Sequence, residues 1–228
     1  MLVFGKNVFN ETIENPKQVR KVYLGKNVKD EELIKVIKEN KIPYETVDSF
    51  RLDKMVEGNH QGIVIDILDY EYAPLDSVIT NDVIVMLDHL EDVHNFGAII
   101  RTCEAAGIKG IIIPKDRSVL VNGTVMKTSS GAINKVSIAR VSNLNTVIDD
   151  LKRQGYFIYA ADMDGVNYQN VSYANKSVLI IGGEGKGVSR LVKDNSDVVV
   201  SIPMKGEINS LNASVAAGIL IYSIVNIG

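Results

Sequence analysis

Five short runs in the last two-thirds of the chain, Val83 to Leu87, Gly110 to Ile113, Phe157 to Ala161, Val178 to Ile181 and Val198 to Ile202, are apolar at nearly every position and rich in β-branched residues. A strand with one wet face alternates apolar and polar residues, so a run without that alternation needs apolar cover on both faces. Amphipathic stretches lie between the runs. Asn143 to Gly155 is one of them, with Asn143 able to cap a helix and Gly155 able to stop it. This alternation predicts an α/β domain whose parallel sheet is flanked by helices.

The first third reads as a second, smaller α/β unit. Lys21 to Leu24 and Gly62 to Leu68 are strand candidates, and Asp30 to Asn40 is a helix with Leu33, Ile34, Val36 and Ile37 as its apolar residues. Tyr70 to Thr80, containing Pro74, reads as the connection. The expected division is therefore 1–72, a linker over 73–80, and 81–228, which 228 residues accommodate as two unequal domains.

Composition narrows the function classes. A hydrophobic share of 46% and a charged share of 23% belong to an ordinary globular protein. Met1 starts no cationic, apolar leader, and the longest apolar run, Val215 to Val225, is too short for a bilayer and broken by Ser223, so a cytoplasmic protein without a membrane partner is expected. Cys103 is the single cysteine and the three histidines, His60, His89 and His94, have no zinc-ligand spacing; neither a disulfide nor a metal site is expected. Cys103 has no evident base beside it and reads as a small buried residue. A net charge of -3 weighs against nucleic acid, yet Lys6, Lys17, Arg20, Lys21, Lys26 and Lys29 crowd the first segment, as either a solvated surface or an RNA-facing edge.

Three polar segments interrupt the apolar pattern. LDHLEDVHNFGAIIRTCEAAG, from Leu87 to Gly107, runs from a strand end through a polar loop into a helix carrying Asn95 and Arg101. LIIGGEGKGVSR, from Leu179 to Arg190, is a buried strand entering a glycine-rich turn that contains Glu184. IPMKGEINSLNASVAAGILIY, from Ile202 to Tyr222, sets Ser210, Asn212 and Ser214 before a buried helix. The turn fits G-x-G-x-x-G in no register, and Lys186 is followed by Gly187 where a phosphate loop needs Ser or Thr, so a dinucleotide dehydrogenase or an NTPase is not expected.

In this order the three segments resemble the signature motifs of the SpoU/TrmH family of RNA ribose 2′-O-methyltransferases. The resemblance covers the C-terminal two-thirds residue by residue, with Val93 standing where the family usually has proline and Ala213 where valine is commoner. It implies a trefoil knot (SPOUT-like) formed by the C-terminal segment, which the pattern alone would not suggest. It also implies S-adenosylmethionine as cofactor, held by Gly182, Gly183, Ile202 and Leu211, and a polar catalytic site of Asn95, Arg101, Glu184, Ser210 and Asn212. A guanidinium is a poor base, so Arg101 is expected to orient the hydroxyl and an adjacent phosphate. Glu184 has an equal structural alternative in tying down its loop, and Ser210 and Asn212 have one as helix caps.

GKNVFNETI near the start and NHQGIVIDI from Asn59 to Ile67 are similar to the ribosomal-protein-like RNA-binding extension of family members that modify ribosomal RNA. His60 and Gln61 read as a turn into the strand ahead of an RNA contact. The implied partners are RNA, ribosomal ahead of transfer RNA, and a second copy of the chain; DNA is not among them. The rivals are a transfer RNA enzyme and a non-catalytic RNA-binding ribosome assembly factor.

Overall fold

The computed structural model describes Met1–Glu14, Pro16–Glu207 and Asn209–Val225; the last three residues of the expected 81–228 domain lie outside the described residues. Two compact units emerge, Met1–Glu71 with Val121–Gly131, and Tyr72–Leu120 with the chain from Ala132 onward.

The first unit is a four-stranded sheet in the order β1-β4-β2-β3. Its elements are β1 (Leu2–Phe4), α1 (Lys6–Ile13), β2 (Val19–Gly25), α2 (Glu31–Glu39), β3 (Tyr44–Val47), α3 (Ser49–Met55) and β4 (Ile63–Ile67). β4 pairs antiparallel with β1 and β2, while β2 and β3 are parallel. Asp30 caps α2 by accepting from the Leu33 amide, and Leu33 and Ile37 turn inward from that helix. Val22, Leu24, Ile63 and Ile65 are buried in the same unit, and Leu52 and Val64 pack with Phe4 and Val47.

The second unit begins with α4 (Leu75–Val78), β5 (Val83–Asp88), α5 (Val93–Ala105) and β6 (Gly110–Pro114). The chain then supplies α6 (Gly123–Ser129) to the first unit and returns as β7 (Ser137–Val141), α7 (Leu144–Arg153), β8 (Phe157–Asn167), β9 (Ser177–Gly182), α8 (Arg190–Asp194), β10 (Val198–Ser201) and α9 (Ala213–Val225). All six strands are parallel, in the order β10-β8-β9-β5-β6-β7. Ile84 to Leu87, Ile111 to Ile113 and Val178 to Leu179 are wholly buried, as strands covered on both faces must be. Asn143 caps α7 by accepting from Thr146, and Gly155 follows that helix with φ +86°, so both helix signals act as read.

Two segments depart from the expected division. Residues 73–80 are not a free linker: the Ala73 amide donates to Ile138, Leu75 and Ile79 pack on the sheet's core, and the Tyr156 hydroxyl lies 2.7 and 2.6 Å from the carbonyls of Ile79 and Asn81. Residues 121–131 belong to the first unit. There α6 lies so close to β1 that a Cβ on Gly123 would overlap the Leu2 carbonyl, and Lys127 Nζ sits 4.7 Å from the Phe4 ring centre. Sequence order does not disclose such an excursion, because the apolar residues that direct it, Val125 and Met126, look like those of any helix.

β8 is also longer than its apolar run. Its pairing with β10 jumps from Val199↔Ala160 to Val200↔Val166, leaving Ala161 to Gly165 as a bulge beside the carboxyl ends of the sheet.

Candidate active site at the carboxyl ends of β5 and β9

β5 leads outward to β6 and β7, whereas β8, β9 and β10 fall on its other side, with β9 inserted next to β5. Such a reversal of strand order opens a crevice at the carboxyl ends, the usual ligand position in open α/β sheets. β5 and β9 run in register to Asp88↔Gly182, and the Gly183 amide then donates to the Asp88 carbonyl at 3.1 Å.

The turn after β9 closes on itself, with the Gly187 amide donating to the Gly183 carbonyl at 3.0 Å. Its glycines answer two different demands. Gly185 and Gly187 have φ +77° and +63°, whereas Gly182 and Gly183 need room: a Cβ on Gly182 would overlap the backbone of Gly187, and one on Gly183 would lie 2.6 Å from the His89 carbonyl oxygen. The room left by Gly182 and Gly183 is thus taken by the protein's own backbone.

Glu184 brings the three polar segments together. Its Oε1 accepts from Asn95 Nδ2 at 2.6 Å and from Asn212 Nδ2 at 3.2 Å. Asn95 is buried in the first turn of α5, its amide capped by the Asp92 carboxylate at 2.7 Å. Asn212 fills the capping role weighed for it, its Oδ1 accepting from the amides of Ser214 and Val215 at the start of α9, and its amide group also donates to Glu184.

The other expected residues are placed less tightly. Arg101 is exposed, and its side chain has no hydrogen bond or ion pair among the described residues. Lying six residues beyond Asn95, it is turned roughly 120° from it about the helix axis. Ser210 is exposed without a hydrogen-bond partner among the described residues. Ile202 is half-buried, and Leu211, adjoining Asn212, is 37% exposed.

Two groups nearby show how local setting fixes protonation. Burial raises the Asp162 carboxyl, but Lys193 at 2.9 Å and backbone amides outweigh it and hold the group below the usual carboxylate range. Cys103, wholly buried in α5, has its thiol pushed far up by desolvation, as suits a packing residue. No group of three or more potential metal ligands occurs among the described residues, and none of their helices is long and apolar enough to cross a membrane.

The basic edge of the first unit is mostly neutralised. Lys6, Arg20, Lys21 and Lys26 pair with Asp30, Asp66, Glu45 and Asp48, leaving Lys17 and Lys29 outside these pairs. His60 and Gln61 build the turn: His60 Nδ1 accepts from the Gly62 amide, its Nε2 lies 2.9 Å from Asp53, and Gln61 Oε1 accepts from the Lys6 amide.

Sequence reasoning passed over Asp88. It is the last residue of β5, buried, with one carboxylate oxygen accepting from the Ser189 amide at 2.6 Å and the other 2.5 Å from His89 Nδ1. An acid ending a run of buried apolar residues was the available signal.

Residues 82–222 match the model of the SpoU rRNA methylase family, and residues 2–73 match a domain described as RNA 2′-O ribose methyltransferase substrate binding. A Staphylococcus haemolyticus protein named "Putative TrmH family tRNA/rRNA methyltransferase" is 38% identical, with 98% of this chain and 94% of that protein covered. Among solved structures, the SpoU methyltransferase AviRb of Streptomyces viridochromogenes, in complex with AdoMet, superposes with a TM-score of 0.81 at 22% identity over 99% of this chain and 89% of AviRb. The A. aeolicus TrmH/SpoU tRNA modifying enzyme is 33% identical with a TM-score of 0.58, over 64% of this chain and 74% of its own. The order of the three polar segments, their convergence on Glu184 and these matches have one explanation: the chain belongs to the SpoU rRNA methylase family of RNA methyltransferases.

Proposed function

We propose that this enzyme transfers the methyl group of S-adenosylmethionine to a ribose 2′-hydroxyl of structured RNA, with guanosine in large-subunit ribosomal RNA as the target. The observation that carries the reading is the single carboxylate oxygen of Glu184 holding both Asn95 and Asn212, since it makes one site of three segments that bear the family's motifs. The cofactor fits the residues present. The glycine turn offers backbone groups in a crevice, and the half-buried Ile202 and partly exposed Leu211 offer apolar surface for an adenine ring. When bound, it supplies a sulfonium carbon open to in-line displacement.

The chain's own task is then to orient the ribose and accept a proton. Arg101, permanently charged, orients the hydroxyl and its flanking phosphate, and Ser210 and Asn212 add donors. Glu184 sets the loops; its bonds to the two asparagines favour that structural role. The first unit reads the RNA, a role supported by its family match more than by its largely paired cations.

Further parts of the reading follow the family resemblance. The C-terminal segment forms a trefoil knot, the first unit is ribosomal-protein-like, and the enzyme works in the cytoplasm as a homodimer. Val215 and Tyr222, 50% and 45% exposed on α9, supply apolar surface for the second copy. The first unit favours ribosomal over transfer RNA, as the transfer RNA enzyme above matches only 64% of this chain. Mapping ribose methylation in total RNA from cells with and without the protein tests the proposal: a single lost 2′-O-methylguanosine in large-subunit RNA is expected. A lost site in transfer RNA would install the rival enzyme, and no lost site would favour an assembly factor.

A further inference from the structure

The proposed reaction needs an acceptor for the hydroxyl proton, and none of the five motif residues provides a good one. Arg101 cannot accept it, and Glu184, whose Oε1 already takes two amide donors, is a carboxylate and so a weaker base than an imidazole. Beside them stands a pair that neither the sequence motifs nor the family resemblance singles out. Asp88 closes β5 with a buried side chain, and its Oδ1 lies 2.5 Å from His89 Nδ1. Its Oδ2 accepts from the Ser189 amide, which follows the glycine turn, and its carbonyl accepts from Gly183. A carboxylate only accepts, so His89 Nδ1 is the donor and the lone pair falls on Nε2.

His89 is held rather than free. Its backbone has φ +55°, a conformation costly for a residue with a Cβ and one that gathers at functional sites. Its carbonyl oxygen lies against Gly183, the residue before Glu184. The side chain is 37% exposed, and Nε2 has no hydrogen-bond partner among the described residues. An oriented imidazole with an unused basic nitrogen, on a residue whose backbone lies at the carboxyl end of β5 and against the glycine turn, has the build of a general base steadied by a carboxylate.

We propose that His89 Nε2 accepts the ribose 2′-hydroxyl proton, with Asp88 fixing the ring's tautomer and stabilising the imidazolium that results. The inference rests on the ribose-methylation reading above. In balance, the ribose oxygen bonds to the methyl carbon as the carbon–sulfur bond of the sulfonium donor breaks, its electron pair staying on sulfur, and the proton moves to His89.

The test uses the full chain. His89→Asn accepts the left-handed backbone and can still donate to Asp88, but it offers no basic nitrogen. Its turnover on RNA should fall about a hundredfold or more, while cofactor affinity by calorimetry and the unfolding midpoint stay unchanged. His89→Gly, equally suited to that φ, should regain turnover when imidazole is added. Nitrogen NMR of the free protein gives a readout independent of turnover: His89 should carry its proton on Nδ1. Near-native turnover of His89→Asn, or a proton found on Nε2, overturns the assignment. Should the unaltered protein methylate no ribose, the reaction itself is wrong and this assignment falls with it; methylation by the unaltered protein and by His89→Asn alike removes only the role of His89.

Discussion

Asn95 Nδ2 lies 2.6 Å from Glu184 Oε1, joining two side chains 89 positions apart in the chain. The contact matters because Asn95 is only 5% exposed and its amide has few other places to go. Glu184→Ala should therefore cost about 1–3 kcal/mol, the price of a buried donor left without its acceptor. Glu184→Gln, which keeps one carbonyl oxygen, should lose under about 1 kcal/mol. Urea unfolding checks both, and an Ala variant as stable as the parent would show that the contact does not hold the loops.

The glycine turn separates two reasons for having no side chain. Gly182→Ala sets a methyl into the backbone of Gly187 and needs the turn to move, so calorimetry should find cofactor binding lost and stability down by more than about 2 kcal/mol. Gly185→Ala meets nothing within 4 Å and carries only the cost of φ +77°, about 1–2 kcal/mol. Equal effects from the two would contradict this division.

The Arg101 side chain is exposed and bonded to nothing among the described residues, so the fold does not depend on it. Arg101→Ala should keep the parent's unfolding midpoint and cofactor affinity while transfer to RNA slows about a hundredfold or more. Arg101→Lys should recover little, since a point charge lacks the planar fork. Near-native rates in the Ala variant would remove Arg101 from the mechanism.

Where the second unit begins can be tested by truncation. A protein starting at Asn81 loses Ile79, whose carbonyl receives the Tyr156 hydroxyl, together with the apolar cover of Leu75. It should be about 1–3 kcal/mol less stable than one starting at Tyr72. Both truncations strip α6 of its support on β1, so limited proteolysis should cut within 121–131 in the shortened proteins and spare that segment in the whole chain.

The thiol of Cys103 lies fully buried, and desolvation raises it far out of the range where a thiolate forms. A water-soluble thiol reagent should label it no faster than the protein unfolds, and at once in concentrated denaturant. Rapid labelling of the folded protein would show that α5 opens locally.

The sequence by itself determined the parallel sheet, the cap of α7 and the three polar segments. These depend on residues close together in the chain: runs apolar at every position demand cover on both faces, and a capping side chain bonds an amide three residues on. It did not reveal that residues 121–131 leave one unit to complete another, that 73–80 pack as structure, or that the cations of the first segment are mostly paired. Each of those depends on a partner distant in the chain, which short-range periodicity does not identify. The site divides the same way. Asn95, Glu184 and Asn212 were legible from their motifs, but only the tertiary structure decided that one carboxylate oxygen serves both amides, and that Asp88, joined to His89, also takes the amide of Ser189, 101 positions away. A hydrogen bond requires its atoms within about 3 Å, and for residues so far apart in sequence only the completed sheet, with β9 laid beside β5, brings them that close.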